Sequence, residues 1–479
     1  MIERAIGLRR ELGLWAATAI VVGTVIGSGI FLVPKDMILH VGSPAIVLAV
    51  WTAAGLLSMA GALSYAELAA ALPEAGGEYV YLREAYGSLW GFLYGWTQFW
   101  VARGGSIATL ATAFFLYMGN FFPSLEQVFY TLPLAIGPGG APLAIRYGQL
   151  LAVAIIFLLA GVNYLGVRFG GSVQVAVTAL KLALIAALIA VGLGAGKGNF
   201  EHFSRSIPAP GGPAGFFAAM VAALWAYDGW NNVSMVAAEI RRPQHYLPIA
   251  LIAGTGMVMA TYLLTNVAYF YVLPAEQVGA SDRVAAEMMR AILGQWGAAV
   301  VSVAAMVSIF AALNGSLLSG ARVPYAMARG GLFFACFARI HPRYGTPSVS
   351  ILGLALWGSV LVFTGRYEDL FRYVIFASWI LYGMTAAAVI VLRRRRPELP
   401  RPYRTPGYPL LPALFVAGAA AVIWSSLRNF PRESLLGLAL ILLGLPYYGW
   451  LRSRRGGPGR FRGVRGPEGH FVPKTEQNP

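Results

Sequence analysis

Charged side chains are scarce in this chain. Asp, Glu, Lys and Arg make up 12% of its 479 residues, while hydrophobic residues make up 58%. A soluble domain carries roughly 25% charged residues, so this composition cannot cover the surface of a soluble protein of this length. The shortage of charge excludes a soluble globular fold and indicates an integral membrane protein whose surface mostly faces lipid.

Cysteine and histidine are also rare, with one cysteine, Cys336, and five histidines. A single cysteine cannot form an internal disulfide. The sequence contains no HExxH zinc motif, no GxSxG nucleophile elbow and no phosphate-binding P-loop. These absences count against a membrane enzyme, and we expect neither a metal nor a cofactor.

The charge that is present is mostly positive, with 36 Lys and Arg against 20 Asp and Glu. A basic balance can indicate nucleic-acid binding, but no basic stripe with interleaved aromatic residues occurs in a soluble segment. The basic residues lie mostly between apolar runs, as the positive-inside rule predicts, for example at 393–396. We therefore predict no nucleic-acid partner, and a multi-pass protein of the cell inner membrane with both termini in the cytoplasm.

Twelve apolar runs are long enough to cross a membrane, which takes about 18 residues or more. An even number of spans is consistent with both termini on one side. The runs lie near 13–39, 44–72, 88–118, 146–165, 172–195, 214–240, 247–272, 294–324, 347–364, 370–392, 409–427 and 434–451.

Two of these runs contain helix-disfavouring residues near their middle. The first contains Gly27, Ser28 and Gly29, and each glycine costs about 1 kcal/mol relative to alanine in a helix. The sixth places Asp228 at membrane depth, followed by a glycine and two asparagines. Interrupted segments at corresponding positions of two halves indicate an inverted-repeat transporter.

Each interruption would leave backbone groups unpaired inside the membrane. Amides at a new helix N-terminus attract a carboxylate, and carbonyls at a new C-terminus attract an ammonium group. A zwitterion fits between two such breaks, so the pattern predicts an amino acid substrate. The alternative interpretation of the first break is tight helix packing, because Gly and Ser often line helix contacts.

The motifs around these breaks resemble those of the amino acid–polyamine–organocation superfamily, and more closely its L-type amino acid transporter family. The resemblance covers roughly residues 10 to 450, and its motifs follow one another in the family's order. The segments that carry it are 23–31, 64–68 with 76–79, 227–231 with Glu239 and Pro243, 314–322 with 341–342, and 393–406.

The resemblance implies an all-α, LeuT-type fold of twelve transmembrane helices, in which helices one and six are broken. Applied to this chain, it implies a cytoplasmic N-terminus at 1–12 and two inverted five-helix repeats at 13–200 and 201–395. Two further helices follow at 396–452, and a disordered cytoplasmic tail at 453–479. The family also implies alternating access and sodium-independent transport, often by one-for-one exchange.

The resemblance also implies a substrate site. Amides of the first break would hold the carboxylate, and carbonyls of both breaks would hold the ammonium group. Trp225 is expected to act as a gate over the substrate, and Asn231 and Asn314 to line the side-chain end of the pocket. The complete predicted site comprises Val25, Ile26, Gly27, Ser28, Gly29, Ile30, Trp225, Ala226, Asp228, Asn231 and Asn314.

Charged side chains inside the spans are expected to be functional. Lys181 lies roughly 14 Å into its span, where a charge costs at least about 3 kcal/mol and snorkelling to the surface is difficult. The resemblance implies that its ammonium replaces the sodium ion of other LeuT-type transporters, and it could also carry a coupled proton. Asp228 could favour a cationic substrate, tune access or cap the broken helix, while Arg103 is interpreted as mainly structural.

We therefore predict a sodium-independent exchanger of L-amino acids. Two alternatives remain open, a proton-coupled importer of amino acids or polyamines and a sensor that does not transport. Eukaryotic L-type members bind a glycoprotein through a cysteine between helices three and four, and this chain has none there. That departure excludes a disulfide-linked heavy subunit and predicts a single working chain, with an amino acid and the lipid bilayer as its partners.

Overall fold

The computed structural model of the protein describes residues 7–133, 143–364, 367–429 and 431–454, together with 464–465 and 471–472. Most of these residues are helical. The α-helices, from α1 to α20 in chain order, are Leu14–Val25, Gly29–Val41, Pro44–Ala71, Glu78–Tyr86, Ser88–Thr97, Gly104–Met118, Tyr147–Tyr164, Val167–Gly194, Gly212–Ala226, Asn232–Met235, Pro243–Val272, Ala275–Ala280, Val284–Leu293, Gln295–Gly320, Arg322–Arg329, Ser348–Thr364, Tyr367–Arg395, Leu410–Asn429, Pro431–Leu442 and Gly444–Arg454.

Eight continuous helical segments within the described ranges are long and apolar enough to cross a membrane. The bent pair of α1 and α2 makes a ninth. The remaining three predicted runs coincide with α9, α16 and α17, which are short or described only in part. The prediction of an all-α membrane protein is confirmed, and the count of twelve spans stays a prediction.

Two pairs of short antiparallel strands accompany the helices. β1 (Val128–Leu132) pairs with β2 (Leu143–Arg146) between α6 and α7, and β3 (Val464–Arg465) pairs with β4 (Phe471–Val472) near the C-terminus. Apart from 453–454 and the strands β3 and β4, the tail predicted at 453–479 lies outside the described residues. So do the first six residues of the predicted N-terminal segment.

The interrupted helices lie at the centre of the bundle. Helix α1 packs against α8, α11 and α14, and α9 packs against α2, α3 and α18. The helices facing outward expose leucines such as Leu158, Leu356 and Leu435, as side chains in contact with lipid do. Burying α1 among three apolar helices leaves its backbone break no access to lipid, which is the condition for irregular backbone at membrane depth.

Ion pairs join the helices at one end of the bundle, the predicted cytoplasmic end. The Glu239 carboxylate accepts hydrogen bonds from Arg322 Nε at 2.7 Å and Nη2 at 3.0 Å, and both side chains are fully buried. Next to them, Leu12 pairs with Ile240 as a parallel bridge. These contacts fix the segment before α1 to the segment after α10.

A second ion pair joins the end of α3 to the end of α17. Glu67, at 2% exposure, accepts from Arg393 Nε at 2.8 Å and Nη2 at 2.6 Å and from the amide of Thr405 at 2.8 Å. The basic segment after α17 therefore folds back on the bundle at the same end as Glu239 and Arg322.

Candidate functional site

The first break separates α1 from α2. Ile26 leaves the helical conformation at φ −73° and ψ 90°, α2 begins at Gly29, and the two helices are bent by 42°. The first amides of a helix have no acceptor within that helix. The break therefore turns the N-terminus of α2, with its amide groups and the positive end of its dipole, toward the middle of the protein.

The second break separates α9 from α10. α9 ends at Ala226 and α10 begins at Asn232. Gly229 lies between them at φ 110°, a conformation that favours glycine because it has no Cβ. Its carbonyl accepts a 2.9 Å hydrogen bond from Thr24 Oγ1 of α1, so the two breaks are directly joined.

Tyr262 of α11 also bridges the two breaks. Its hydroxyl lies 3.0 Å from the Val25 carbonyl and 2.7 Å from the Ala226 carbonyl. Those carbonyls end the first half of each broken helix. Because one buried hydroxyl reaches both, the interruptions face one another rather than separate surfaces.

A cavity of about 50 Å³ lies between the breaks. Its lining is mixed, with backbone from both breaks and small polar side chains from α6 and α14. The lining residues are Thr24, Val25, Gly27, Ser28, Gly29, Arg103, Ser106, Thr109, Leu110, Trp225, Ala226, Asp228, Gly229, Asn232 and Ser316.

Trp225 covers part of this cavity. A Cβ at Gly29 would lie 3.4 Å from Cζ3 of Trp225 and 2.8 Å from Cβ of Ala226. The N-terminus of α2 therefore approaches the end of α9 so closely that no larger residue fits at this point. Glycine at position 29 makes the close approach possible.

Lys181 lies beside the first break and is fully buried. Its Nζ donates to the carbonyls of Gly23 at 2.9 Å, of Ser308 at 3.0 Å and of Ile26. An ammonium group has three N–H donors, and each of them has a carbonyl acceptor here. Ser308 Oγ donates to the same Ile26 carbonyl at 2.9 Å, so α8 and α14 hold the break from two sides.

Asp228 and Arg103 place an acidic and a basic side chain on the cavity wall. Asp228 Oδ1 accepts from the Tyr382 hydroxyl at 2.8 Å. Arg103, on a π-helical turn at Gln98–Arg103, donates from Nη2 to Asn232 Oδ1 at 2.5 Å. The sequence interpretation of Arg103 as mainly structural is incomplete, because its side chain also forms part of the cavity wall.

Two predicted pocket residues point elsewhere in this conformation. Asn231 Nδ2 donates to Glu78. Asn314 exchanges hydrogen bonds of 2.8 Å with Asn163 and Gln174. These two asparagines, together with Ile26 and Ile30, are absent from the lining, whereas the other seven predicted residues are present: Val25, Gly27, Ser28, Gly29, Trp225, Ala226 and Asp228.

Several residues at the site were missed by the sequence reasoning. Ser308 and Asn232 are polar residues inside apolar spans, and that position alone marks them as candidates. Tyr262 had no such signal, because a tyrosine in an apolar run is equally compatible with simple core packing. Only the folded chain brings its hydroxyl to the two breaks.

The fold and the cavity define a class of protein. This is a multi-pass helical membrane protein with a small polar cavity at its centre, lined in part by two interrupted helices whose breaks face each other. That arrangement is typical of a secondary transporter.

Comparison with known proteins identifies the family. Residues 12–445 match the family described as Amino acid permease, and the chain belongs to that family, as the motifs predicted. It is 33% identical to the serine/threonine exchanger SteT of Bacillus subtilis, over 94% of this chain and 98% of that protein.

Two human proteins are also similar along most of their length. The b(0,+)-type amino acid transporter 1 is 33% identical over 92% of this chain and 88% of its own. The cystine/glutamate transporter is 30% identical over 93% of this chain and 86% of its own.

Proposed function

We propose that this protein is a sodium-independent exchanger that moves small neutral L-amino acids across the cell inner membrane by alternating access. The observation that carries the proposal is the bridge from Tyr262 to the Val25 and Ala226 carbonyls across the central cavity. It brings together the carbonyl ends of α1 and α9, and the N-terminus of α2 lines the same small space. A zwitterionic head group is complementary to such a space.

Each part of the substrate has a proposed partner. The amides of Ser28, Gly29 and Ile30 would hold the carboxylate, and the carbonyls of Val25, Trp225 and Asp228 the ammonium group. Trp225 would act as the gate. The Val25 carbonyl is within reach of Tyr262, but a carbonyl oxygen has two lone pairs and can accept a second donor.

Lys181 supports independence from sodium. Its ammonium is bound by three backbone carbonyls between α1, α8 and α14, and carbonyl oxygens are also ligands for alkali cations. In this proposal the lysine charge takes the place of a bound sodium ion.

Small neutral substrates fit the cavity best. The lining includes the small polar residues Ser106, Thr109 and Ser316, which suit a short polar side chain such as that of serine. Arg103 and Asp228 both line the wall, so the site offers no single sign of charge that a charged side chain could neutralise. The similarity to a serine/threonine exchanger points the same way.

Two further parts of the proposal, a single working polypeptide and cytoplasmic termini, rest on the cysteine and on the basic residues of the sequence. We infer that it works as a single polypeptide, since Cys336 is its only cysteine and lies between α15 and α16, away from the connection between the third and fourth spans. The basic segment 393–404 supports a cytoplasmic location for the loop after α17, and hence for both termini.

Counterflow in liposomes tests the proposed function. Purified protein is reconstituted, and uptake of labelled L-serine is measured with unlabelled serine inside, with empty vesicles, and with an imposed pH gradient. We expect accumulation only in preloaded vesicles, without sodium. Equal uptake into empty vesicles under a pH gradient would indicate proton-coupled import, and binding without uptake would indicate a sensor.

A further inference from the structure

Glu78 is a buried carboxyl group that does not line the cavity. It is the first residue of α4, is 0% exposed, and accepts a hydrogen bond from Asn231 Nδ2. Among the described residues no Lys, Arg or His lies within ion-pair distance of it. An ionised carboxylate buried without an ion partner costs several kcal/mol, so the position favours a neutral acid.

The contact between Glu78 and Ser234 becomes a hydrogen bond only if the Glu78 carboxyl carries a proton. Ser234 Oγ lies 2.6 Å from the Asn231 carbonyl and 3.2 Å from Glu78 Oε2. A hydroxyl has a single proton, and the shorter contact takes it. If Glu78 is ionised, the longer contact then places two hydrogen-bond acceptors, Glu78 Oε2 and Ser234 Oγ, side by side with no proton between them. A proton on Oε2 converts it into a hydrogen bond from the carboxyl to Ser234.

One other acid lies in the surroundings of Glu78: Asp228 accepts a hydrogen bond from Tyr382, which also faces Glu78. Burial raises the pKa of the Glu78 carboxyl, and its own backbone amide, the Asn231 amide, the Tyr94 hydroxyl and the Arg103 guanidinium oppose this only in part. The Arg103 side chain is engaged by Gln98 and Asn232. The other titratable groups that face Glu78 are tyrosines, with an ordinary pKa near 10, on α3, α4, α5 and α17: Tyr65, Tyr81, Tyr94 and Tyr382.

Glu78 also belongs to the contact between α4 and the second break. The Gly76 amide donates to the Met235 carbonyl at 2.9 Å. A Cβ at Gly77 would lie 2.6 Å from Ser234 Oγ, so the two segments touch at backbone distance. Asn231 and Ser234 lie just beyond the break, on the side away from α9. A charge appearing on Glu78 therefore acts on the part of the broken helix that follows the substrate site.

We propose that Glu78 is a proton-binding site whose occupancy holds α4 against the segment after the second break, and that the exchange rate is controlled by this proton. The inference rests on the proposed exchange function. A group whose pKa is raised in the folded protein carries its proton at low pH and loses it as pH rises through that pKa. We therefore expect exchange to slow as pH rises, because the charged form weakens the contact that organises the break.

A comparison of matched variants tests this. Counterflow of serine is measured with equal pH on both sides, at a series of pH values between about pH 6 and about pH 9. The variants are wild type, Glu78→Gln and Glu74→Gln. The glutamine amide can donate to Ser234 and accept from Asn231, so it resembles the protonated acid permanently. Glu74 lies in the same loop, with its side chain 39% exposed.

The proposal expects a several-fold fall in rate for wild type and for Glu74→Gln, and less than about a twofold fall for Glu78→Gln. A wild-type rate independent of pH, or the same fall in Glu78→Gln as in wild type, overturns it. Ser234→Ala removes the acceptor for the proposed proton and should move the midpoint of the pH profile to lower pH. An unchanged midpoint counts against the proposal.

Infrared difference spectroscopy between about pH 6 and about pH 9 gives a readout that does not require transport. A protonated-carboxyl C=O band that titrates in the wild type and is lost from the difference spectrum of Glu78→Gln supports the proton site, and a wild-type difference spectrum that Glu78→Gln leaves unchanged overturns it. If the wild type exchanges no amino acid at any pH, the proposed function fails, and the infrared result decides on Glu78 by itself. If Glu78→Gln does not fold, the Ser234→Ala midpoint decides instead.

Discussion

The ammonium nitrogen of Lys181 donates a 3.0 Å hydrogen bond to the backbone carbonyl of Ser308. This contact joins the fifth predicted span to the eighth beside the first helix break. Because the same nitrogen also binds the Gly23 and Ile26 carbonyls, one side chain supplies the donors for three carbonyls beside the first helix break.

Replacing Lys181 by alanine removes that charge. The three carbonyls would lose their donor, and each buried unsatisfied group costs about 1–3 kcal/mol. We expect exchange to fall about tenfold or more while the protein still reaches the membrane. Counterflow and surface labelling measure the two quantities. Lys197→Ala, at an exposed position after α8, is the control, and wild-type exchange in Lys181→Ala would exclude the proposed role.

The two glycines of the first break should respond differently to alanine. A Cβ at Gly29 would lie 2.8 Å from Cβ and 3.0 Å from Cα of Ala226, so α2 cannot keep its position. A Cβ at Gly27 would lie 3.4 Å from Leu110, an ordinary contact. We expect Gly29→Ala to abolish exchange and Gly27→Ala to fold normally.

Serine affinity and melting temperature, measured together, distinguish Gly27→Ala from Gly29→Ala. Gly27 lines the cavity, so an added methyl group should weaken serine binding without lowering the melting temperature. A melting temperature lowered equally in Gly27→Ala and Gly29→Ala would show that steric packing at the break is not as described.

The tyrosine bridge can be tested by removing a single oxygen atom from Tyr262. Tyr262→Phe keeps the ring but removes the hydroxyl that lies between the Val25 and Ala226 carbonyls. We expect a loss of about 1–3 kcal/mol in stability together with slower exchange, measured by thermal unfolding and counterflow. Tyr130→Phe, at an exposed position of β1, should change neither. Full activity and stability in Tyr262→Phe would mean that the bridge does not hold the breaks together.

The buried ion pair at the end of the bundle makes a separate prediction about stability. Arg322→Met leaves the fully buried Glu239 carboxylate without its partner, and breaking such a pair costs about 3–5 kcal/mol. The matched control is Arg290→Met, whose pair with Glu287 is exposed and contributes about 0–1 kcal/mol. Thermal unfolding in detergent compares the two. Similar melting temperatures would contradict the structural role assigned to Arg322.

Much of this architecture could be predicted from the sequence. Long apolar runs define helices whatever their neighbours are, and Gly27, Ser28, Gly29 and Asp228 mark the breaks because such residues disfavour an uninterrupted helix in lipid. Lys181 could be found for the same reason, since a charge at that depth requires partners.

The side-chain wall of the cavity could not be predicted in the same way. Asn231 and Asn232 are adjacent in sequence, yet the turn after Gly229 directs one toward Glu78 and the other into the cavity. Their direction depends on backbone angles within the break, which no periodic pattern encodes. Asn314 was assigned to the pocket, but Asn163 and Gln174 on neighbouring helices hold it away, and such partners are brought together only by tertiary packing.

An experimental structure of the protein with L-serine bound tests the proposed binding mode. We expect density for the zwitterion between the two breaks, with its carboxylate at the amides of Ser28 and Gly29 and its ammonium group near the Val25 carbonyl. Serine bound anywhere outside this cavity, or bound there with its two charged ends reversed, would contradict it.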